Sequence, residues 1–153
     1  MSTSSSIKEE ISLKKFKEKV INDFRAVSLS RETSVQGRRE VLLGKGKFGI
    51  FGDGKELPQI VMSHFFKDGD YRSGYYRDQT LLMSQNLLSA REIFSAVYGH
   101  PDKVYEKMSG GRQMAGHFLT NTIDESNNWI DQTKQKNHIS DISPTASQMS
   151  RLV

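Results

Sequence analysis

Five glycines within residues 44–54 constrain the fold of this chain more than any other feature of its sequence. Glycine loses the most conformational freedom in a helix or a strand, so this density predicts a loop. Phe48, Ile50 and Phe51, which lie between the glycines, favour a short extended piece within the loop. The loop therefore separates a helical N-terminal third from the remainder of the chain.

Apolar residues on both sides of this loop recur at helical spacing, with lysine and glutamate between them. Before the loop, the pattern predicts a first helix over about residues 7–27 and a second over 31–43 that ends at Gly44. At the C-terminus, Ser143 followed by Pro144 is typical of a helix start. After the loop, the pattern predicts a third helix, a short strand, one or two helices and an exposed excursion, over residues 56–66, 71–76, 81–98 and 124–129 in turn.

Size and composition indicate one domain with little apolar material. The chain has 153 residues, of which only 35% are hydrophobic. Adding the glycines still leaves this set below its usual share of about 45–50%. Either parts of the chain are unpacked, or they bury surface against another molecule. The net charge of +4 suits an anionic ligand, but the basic residues are spread out, which is weak support for nucleic-acid binding.

Several classes of protein are excluded by what the sequence lacks. It has no cysteine, which rules out disulfides and thiolate metal sites. No apolar run approaches the roughly 18 residues of a membrane span, and the N-terminus has no secretory-signal pattern. We therefore expect a cytoplasmic protein. The histidines at 64, 100, 117 and 138 are far apart in sequence, so each alone is more typical of packing than of metal binding.

Three motifs in the glycine loop resemble cofactor-binding motifs, but each lacks a required partner. The G-x-G-x-x-G match at 44–49 follows a charged helix where a dinucleotide fold has a buried strand. The near match to a P-loop at 49–56 ends in Glu56, where magnesium needs serine or threonine. The Gly-Asp-Gly at 52–54 has no asparagine about 30 residues later. A flexible loop is the favoured interpretation, with phosphate binding through Lys55 as an alternative.

Three other stretches, taken in order, resemble one known family. They are GYYRDQT at 74–80, GGRQMAGHF at 110–118 and DISPTASQM at 141–149. Together they are similar to the N-terminal part of the alpha chain of thiamine-diphosphate-dependent 2-oxo acid dehydrogenases. This group includes the branched-chain and pyruvate enzymes and forms with fused alpha and beta regions. The resemblance covers the chain from about residue 31, and GRQM followed by His117 is its most specific piece.

The resemblance implies an α/β fold, of which this chain would be an N-terminal fragment. We expect it to be mostly helical here, with two or three short strands. Residues 1–6 would be a disordered tail, and residues 7–153 a partial thiamine-diphosphate-binding domain. The family's Gly-Asp-Gly…Asn motif for magnesium and its histidine-bearing loop follow the Ser-Pro segment, so the expectation is a chain truncated before both.

The resemblance also implies roles for particular residues. Tyr76 and Arg77 would hold the diphosphate, because an arginine fork matches phosphate oxygens. Without the other motifs, the same pair is a Tyr–Arg stack on the surface. His117 is the candidate catalytic residue, although a packed histidine fits that position equally well. Ser143 and Thr145 would face the cofactor.

Some members of the family also bind a potassium ion with the Ser-Pro segment. The corresponding ligands here would be Ser143, Ser147 and Gln148, which offer the oxygen atoms that hard cations prefer. Ile142 stands where some members have a further serine, which weakens this match. An ordinary helix start at Ser143 is the alternative interpretation of the segment.

The implied function is oxidative decarboxylation of a 2-oxo acid on thiamine diphosphate, followed by acyl transfer to a lipoyl carrier. The implied partners are a beta subunit or region, which carries the glutamate that activates the cofactor, and a lipoyl acyltransferase component. We expect an oligomer, and a chain that is inactive alone because the magnesium ligands are missing. A rival hypothesis is a small basic helical module that binds an anionic partner or nucleic acid.

Overall fold

The structure is a computed structural model that describes residues 12–112 and 118–139. These ranges form a mixed α/β arrangement of four α-helices, a short 3-10 turn and a two-stranded parallel sheet. The elements in chain order are α1 Leu13–Leu42, α2 Glu56–Ser63, β1 Tyr71–Ser73, α3 Gln79–Ser84, α4 Ala90–Val97, the 3-10 turn Gln132–Lys134 and β2 Asn137–Ile139. The described part thus agrees with the expectation of an α/β chain with short strands.

Residues Leu13–Leu42 form one continuous helix, so the prediction of two helices with a break near residue 28 was wrong. Ser12 begins α1, with its Oγ accepting the Lys15 backbone N–H at 3.4 Å. Ser30 and Ser34, near the predicted break, are buried against α3. Ser30 Oγ lies 2.7 Å from Thr80 Oγ1, and Gln79 Nε2 donates to Ser34 Oγ at 2.7 Å. Long-range hydrogen bonds therefore occupy groups that would otherwise compete with helical structure.

The glycine loop after α1 contains no strand; it is held to the helices through Phe51. The Phe51 ring packs against Gly37 of α1, where a Cβ atom would lie only 2.3 Å from the ring. Phe51 is buried with three residues of α3 and α4, namely Met83, Ile93 and Val97. A second buried cluster contains Phe66, Leu81 and Leu82. In the described ranges the core therefore consists of two small groups of side chains, each of which includes residues of α3.

The predicted third helix is shorter than expected. It ends at Ser63, and the carbonyl of that residue accepts a hydrogen bond from Gln85 Nε2 at 2.9 Å. The segment 81–98 forms two helices. They are separated by Asn86, whose φ is 56°, and by a capping box in which Ser89 and Glu92 exchange hydrogen bonds.

Strand β1 pairs with β2 in parallel, with Tyr71 opposite Asn137 and Ser73 opposite Ile139. The strand stops three residues earlier than predicted, because the chain turns at Tyr75–Asp78, where the Asp78 N–H donates to the Tyr75 carbonyl at 3.0 Å. The excursion at 124–129 is exposed as expected, and Trp129 is 81% exposed. No helix within the two described ranges is long and apolar enough to cross a membrane.

Candidate functional site

The aromatic segment Tyr75–Arg77 forms the turn between β1 and α3. Asp78 stabilises this turn, since its Oδ2 accepts the Tyr75 backbone N–H at 2.8 Å. Gly74 starts the turn in contact with β2: a Cβ atom there would lie 2.2 Å from Cε1 of His138. Only glycine lets the chain turn this close to the second strand.

The backbone of Arg77 is fixed by two groups that sequence reasoning missed. Its carbonyl accepts a hydrogen bond from Gln59 Nε2 of α2 at 3.0 Å. The same carbonyl lies against Gly52 of the glycine loop, where a Cβ atom would come within 2.3 Å of the oxygen. Two separate parts of the chain, α2 and the glycine loop, therefore position the residue that the resemblance assigns to the diphosphate.

The side chains of the segment form a compact stack. The Tyr75 hydroxyl donates to the Tyr76 hydroxyl at 2.8 Å, and the two ring centroids are 4.1 Å apart. The Arg77 guanidinium carbon lies 5.0 Å from the Tyr76 ring centroid and 5.7 Å from that of Tyr75. The hydrogen bond to Tyr76 raises the pKa of Tyr75, with burial as the next cause. The Tyr75 hydroxyl therefore remains protonated at neutral pH and donates to Tyr76.

This stack offers donors that suit an anion. Within the described ranges, no carboxylate lies within ion-pair distance of the Arg77 guanidinium. The Tyr76 hydroxyl accepts from Tyr75, which leaves its own proton to donate elsewhere. The arrangement thus presents a permanent cation and a phenolic donor side by side, both half-buried.

A buried polar group lies beneath the turn. Arg72 of β1 contacts Asp78 through one nitrogen and His138 Nδ1 of β2 through another, at 3.2 Å. His138 is only 1% exposed. Burial, together with the charge of Arg72, lowers the pKa of His138 to about 4. The ring is therefore neutral at physiological pH, and its Nδ1 accepts the Arg72 hydrogen bond.

A buried carboxylate orders the loop that begins the GGRQMAGHF stretch. Glu106 accepts hydrogen bonds from the backbone N–H groups of Ser109 at 2.8 Å and Gly111 at 2.9 Å, and from Ser109 Oγ at 2.8 Å. Burial opposes its charge, but these donors outweigh burial and hold the pKa of Glu106 below its usual value. Arg112 N–H donates to Ser109 Oγ at 2.9 Å.

The described ranges contain only two of the predicted site residues, Tyr76 and Arg77. His117, with the rest of 113–117, lies outside them. So do the four polar residues of the Ser-Pro segment, Ser143, Thr145, Ser147 and Gln148. Their roles stay predictions that follow from the resemblance.

The two acidic residues at the end of the glycine loop are paired within the fold, whereas Lys55 between them is exposed. Glu56 binds Arg31 of α1 through two hydrogen bonds of 2.6 and 2.8 Å and accepts Gly54 N–H at 3.1 Å. Burial raises the pKa of Glu56, but these partners hold it below its usual value. Asp53 forms an ion pair with Arg38. These interactions favour a structural role for the loop.

Within residues 12–112 and 118–139, no group of three or more histidine, aspartate or glutamate side chains is placed to hold a metal ion.

Of the residues that build the Tyr75–Arg77 turn, only Asp78 gave a signal in the sequence, because aspartate commonly accepts backbone hydrogen bonds in turns. Gln59, Gly52 and His138 are distant in sequence from the turn, and nothing in their spacing indicated contact.

Comparison of the chain with protein families, with curated proteins and with solved structures finds no match. The family resemblance therefore rests on the three sequence stretches alone.

Proposed function

We propose that this chain is an N-terminal part of the alpha subunit or region of a 2-oxo acid dehydrogenase, and that Tyr76 and Arg77 contact the diphosphate of thiamine diphosphate. The observation that most supports this proposal is that Arg77 has a fixed backbone and a guanidinium without a carboxylate partner in the described ranges. Its backbone is held by α2 and the glycine loop. Such a fixed cation suits a doubly charged ligand.

The chemistry of the donor set fits the cofactor's diphosphate. Arginine can bond two phosphate oxygens at once, and the Tyr76 hydroxyl supplies a third donor beside it. Stacking on two rings limits the rotamers of Arg77, which reduces the entropy lost when a ligand binds. Thiamine diphosphate, when bound, supplies the electron sink for decarboxylation of the 2-oxo acid.

Titration of thiamine diphosphate and Mg²⁺ into ¹⁵N-labelled chain tests this proposal. We expect the NMR signals of the Tyr75–Arg77 turn to shift, with thiamine monophosphate binding more weakly. Arg77→Gln should weaken binding about tenfold, which corresponds to the loss of one charge-assisted hydrogen bond. Arg91→Gln is the matched control, because Arg91 also stacks on a tyrosine, 5.0 Å from the ring of Tyr105.

Equal binding by the Arg77→Gln and Arg91→Gln variants would contradict the proposal, as would signal shifts that avoid the Tyr75–Arg77 turn. A binding arm adds the proposed partners. When the chain is mixed with a beta subunit and lipoyl acyltransferase of a branched-chain or pyruvate dehydrogenase, it should co-elute with the beta subunit in size-exclusion chromatography.

A second candidate function is a basic helical module for an anionic partner, and the first half of α1 favours it. Leu13, Phe16, Val20 and Phe24 form a stripe along this half, and each is 48% or more exposed. Lysines flank the stripe, at positions 14, 15, 17 and 19. Binding to duplex DNA that weakens steeply with salt would support this function; binding with no salt dependence would argue against it.

A further inference from the structure

An open cavity lies where α1, the end of α2 and the approach to β2 come together. Its volume is about 520 Å³. None of its lining residues belongs to the Tyr75–Arg77 turn. We call it the lysine cavity, because three of its lining residues are lysines. The lining residues used in the argument are Lys19, His64, Phe66, Lys67, Asp68 and Lys136.

The cations of the lysine cavity outnumber the carboxylates that face them. Lys136 Nζ lies 3.0 Å from Asp68 Oδ1, and the His64 ring contacts Asp23 of α1 at 3.0 Å. Lys19 and Lys67 differ: in the part of the chain that the structure describes, neither ammonium group has a carboxylate within 4.0 Å. Three lysines, one from α1 and two from separate connecting segments, thus produce a positive potential around one cavity.

We propose that the lysine cavity binds a small molecule that carries a phosphate group. Lysine ammonium groups act as compact point charges, which suit a phosphate dianion and impose no planar geometry. The volume falls within the range of about 300–1,000 Å³ typical of ligand pockets, so it exceeds what phosphate alone requires. Phe66, which is 8% exposed, adds an apolar portion to the wall for the remainder of the molecule.

This site is independent of the proposed thiamine-diphosphate contacts, and two substitutions separate them. Lys67→Gln should weaken binding in the lysine cavity and leave the signal shifts at Tyr75–Arg77 unchanged. Arg77→Gln should weaken the binding of thiamine diphosphate and leave binding in the lysine cavity unchanged. Either proposal can therefore fail while the other stands.

Titration of the full chain with inorganic phosphate and with glycerol 3-phosphate, followed by ¹⁵N NMR, tests the proposal. Both should shift the amide signals of Ser63, His64 and Gln85, with glycerol 3-phosphate binding more tightly. Lys136→Gln should weaken binding at least about threefold, as expected for the loss of one partly exposed charge pair. Lys134→Gln is the control, because Lys134 lies two residues away, is 81% exposed and does not line the cavity.

The proposal is overturned if Lys134→Gln weakens binding as much as Lys136→Gln, since that would indicate nonspecific attraction to net charge. It is also overturned if neither phosphate compound shifts the cavity signals at millimolar concentration. Lys67→Gln provides a second variant on an exposed side chain, so that an effect of Lys136→Gln on folding cannot decide the outcome.

Discussion

His138 is a buried base that must stay neutral in the folded chain. Burial and the Arg72 charge lower its pKa from 6.5 to about 4, whereas the unfolded chain retains the ordinary value. Between these values the unfolded state takes up a proton that the folded state does not. Stability is therefore fully present above about pH 6.5 and falls as the pH drops towards 4, by about 3 kcal/mol at most. Urea unfolding at a series of pH values measures this loss.

The variant His138→Gln separates this effect from the titration of carboxylates. Glutamine can accept the Arg72 hydrogen bond but takes up no proton in this range, so its stability should fall less between pH 6.5 and 4. If the free energy of unfolding fell equally with pH in the unmodified chain and in His138→Gln, the titration of His138 would not explain the loss. A direct NMR titration that gave His138 an ordinary pKa would do the same, even if the variant folded poorly.

The loop after residue 106 depends on the carboxylate of Glu106, which accepts hydrogen bonds from the backbone of the loop. Replacing Glu106 with glutamine removes the charge and exchanges one acceptor oxygen for an amide. We expect a loss of about 1.5–3 kcal/mol, the range for hydrogen bonds to a charged group. Hydrogen exchange at the Gly111 amide should also accelerate, because that N–H donates to Glu106 at 2.9 Å.

Glu125→Gln is the comparison for this loop, because Glu125 is an exposed carboxylate in another turn. Its stability should change by no more than about 0.5 kcal/mol. If the two variants lost equal stability, or if Gly111 exchange were unchanged in Glu106→Gln, Glu106 would not be what orders the loop.

Helical spacing and glycine density predicted the main elements, but not their exact limits. Ser89 and Glu92 form a capping box whose spacing was visible in the sequence, and it would have fixed the start of α4. The continuity of α1 was not visible. It depends on Ser30 and Ser34 finding partners in α3, which are 45 to 50 residues away. The Tyr75–Arg77 turn was predicted as a site, but its supports in α2 and β2 could not be.

The low apolar content also has a structural counterpart in the contact between α1 and α3. The side chains buried there are polar: Ser30, Ser34, Gln79 and Thr80 are each 6% exposed or less and bond one another. Buried polar groups are costly only when unpaired. A hydrogen-bonded layer therefore takes the place that aliphatic side chains occupy in a more hydrophobic domain.

This layer divides α1 into two halves of unequal stability. The buried residues of the helix all lie from Ser30 onward, whereas the residues from Leu13 to Leu29 are exposed or half-buried. Because most helical stability in proteins comes from packing, the first half, which buries no side chain fully, is the less stable one. Amide hydrogens at 17–25 should therefore exchange at least about tenfold faster than those at 33–41.

Substitution of one phenylalanine on the exposed half of α1 and one in the buried core completes the test. Phe24→Ala, at a side chain that is 70% exposed, should change the free energy of unfolding by no more than about 0.5 kcal/mol. Phe66→Ala, at a side chain that is 8% exposed, should cost about 3–5 kcal/mol. Uniform protection along α1, or an equal cost for both variants, would mean that the first half of the helix is packed in solution. The stripe of Leu13, Phe16, Val20 and Phe24 would then belong to the core, which would remove the support for a basic binding module.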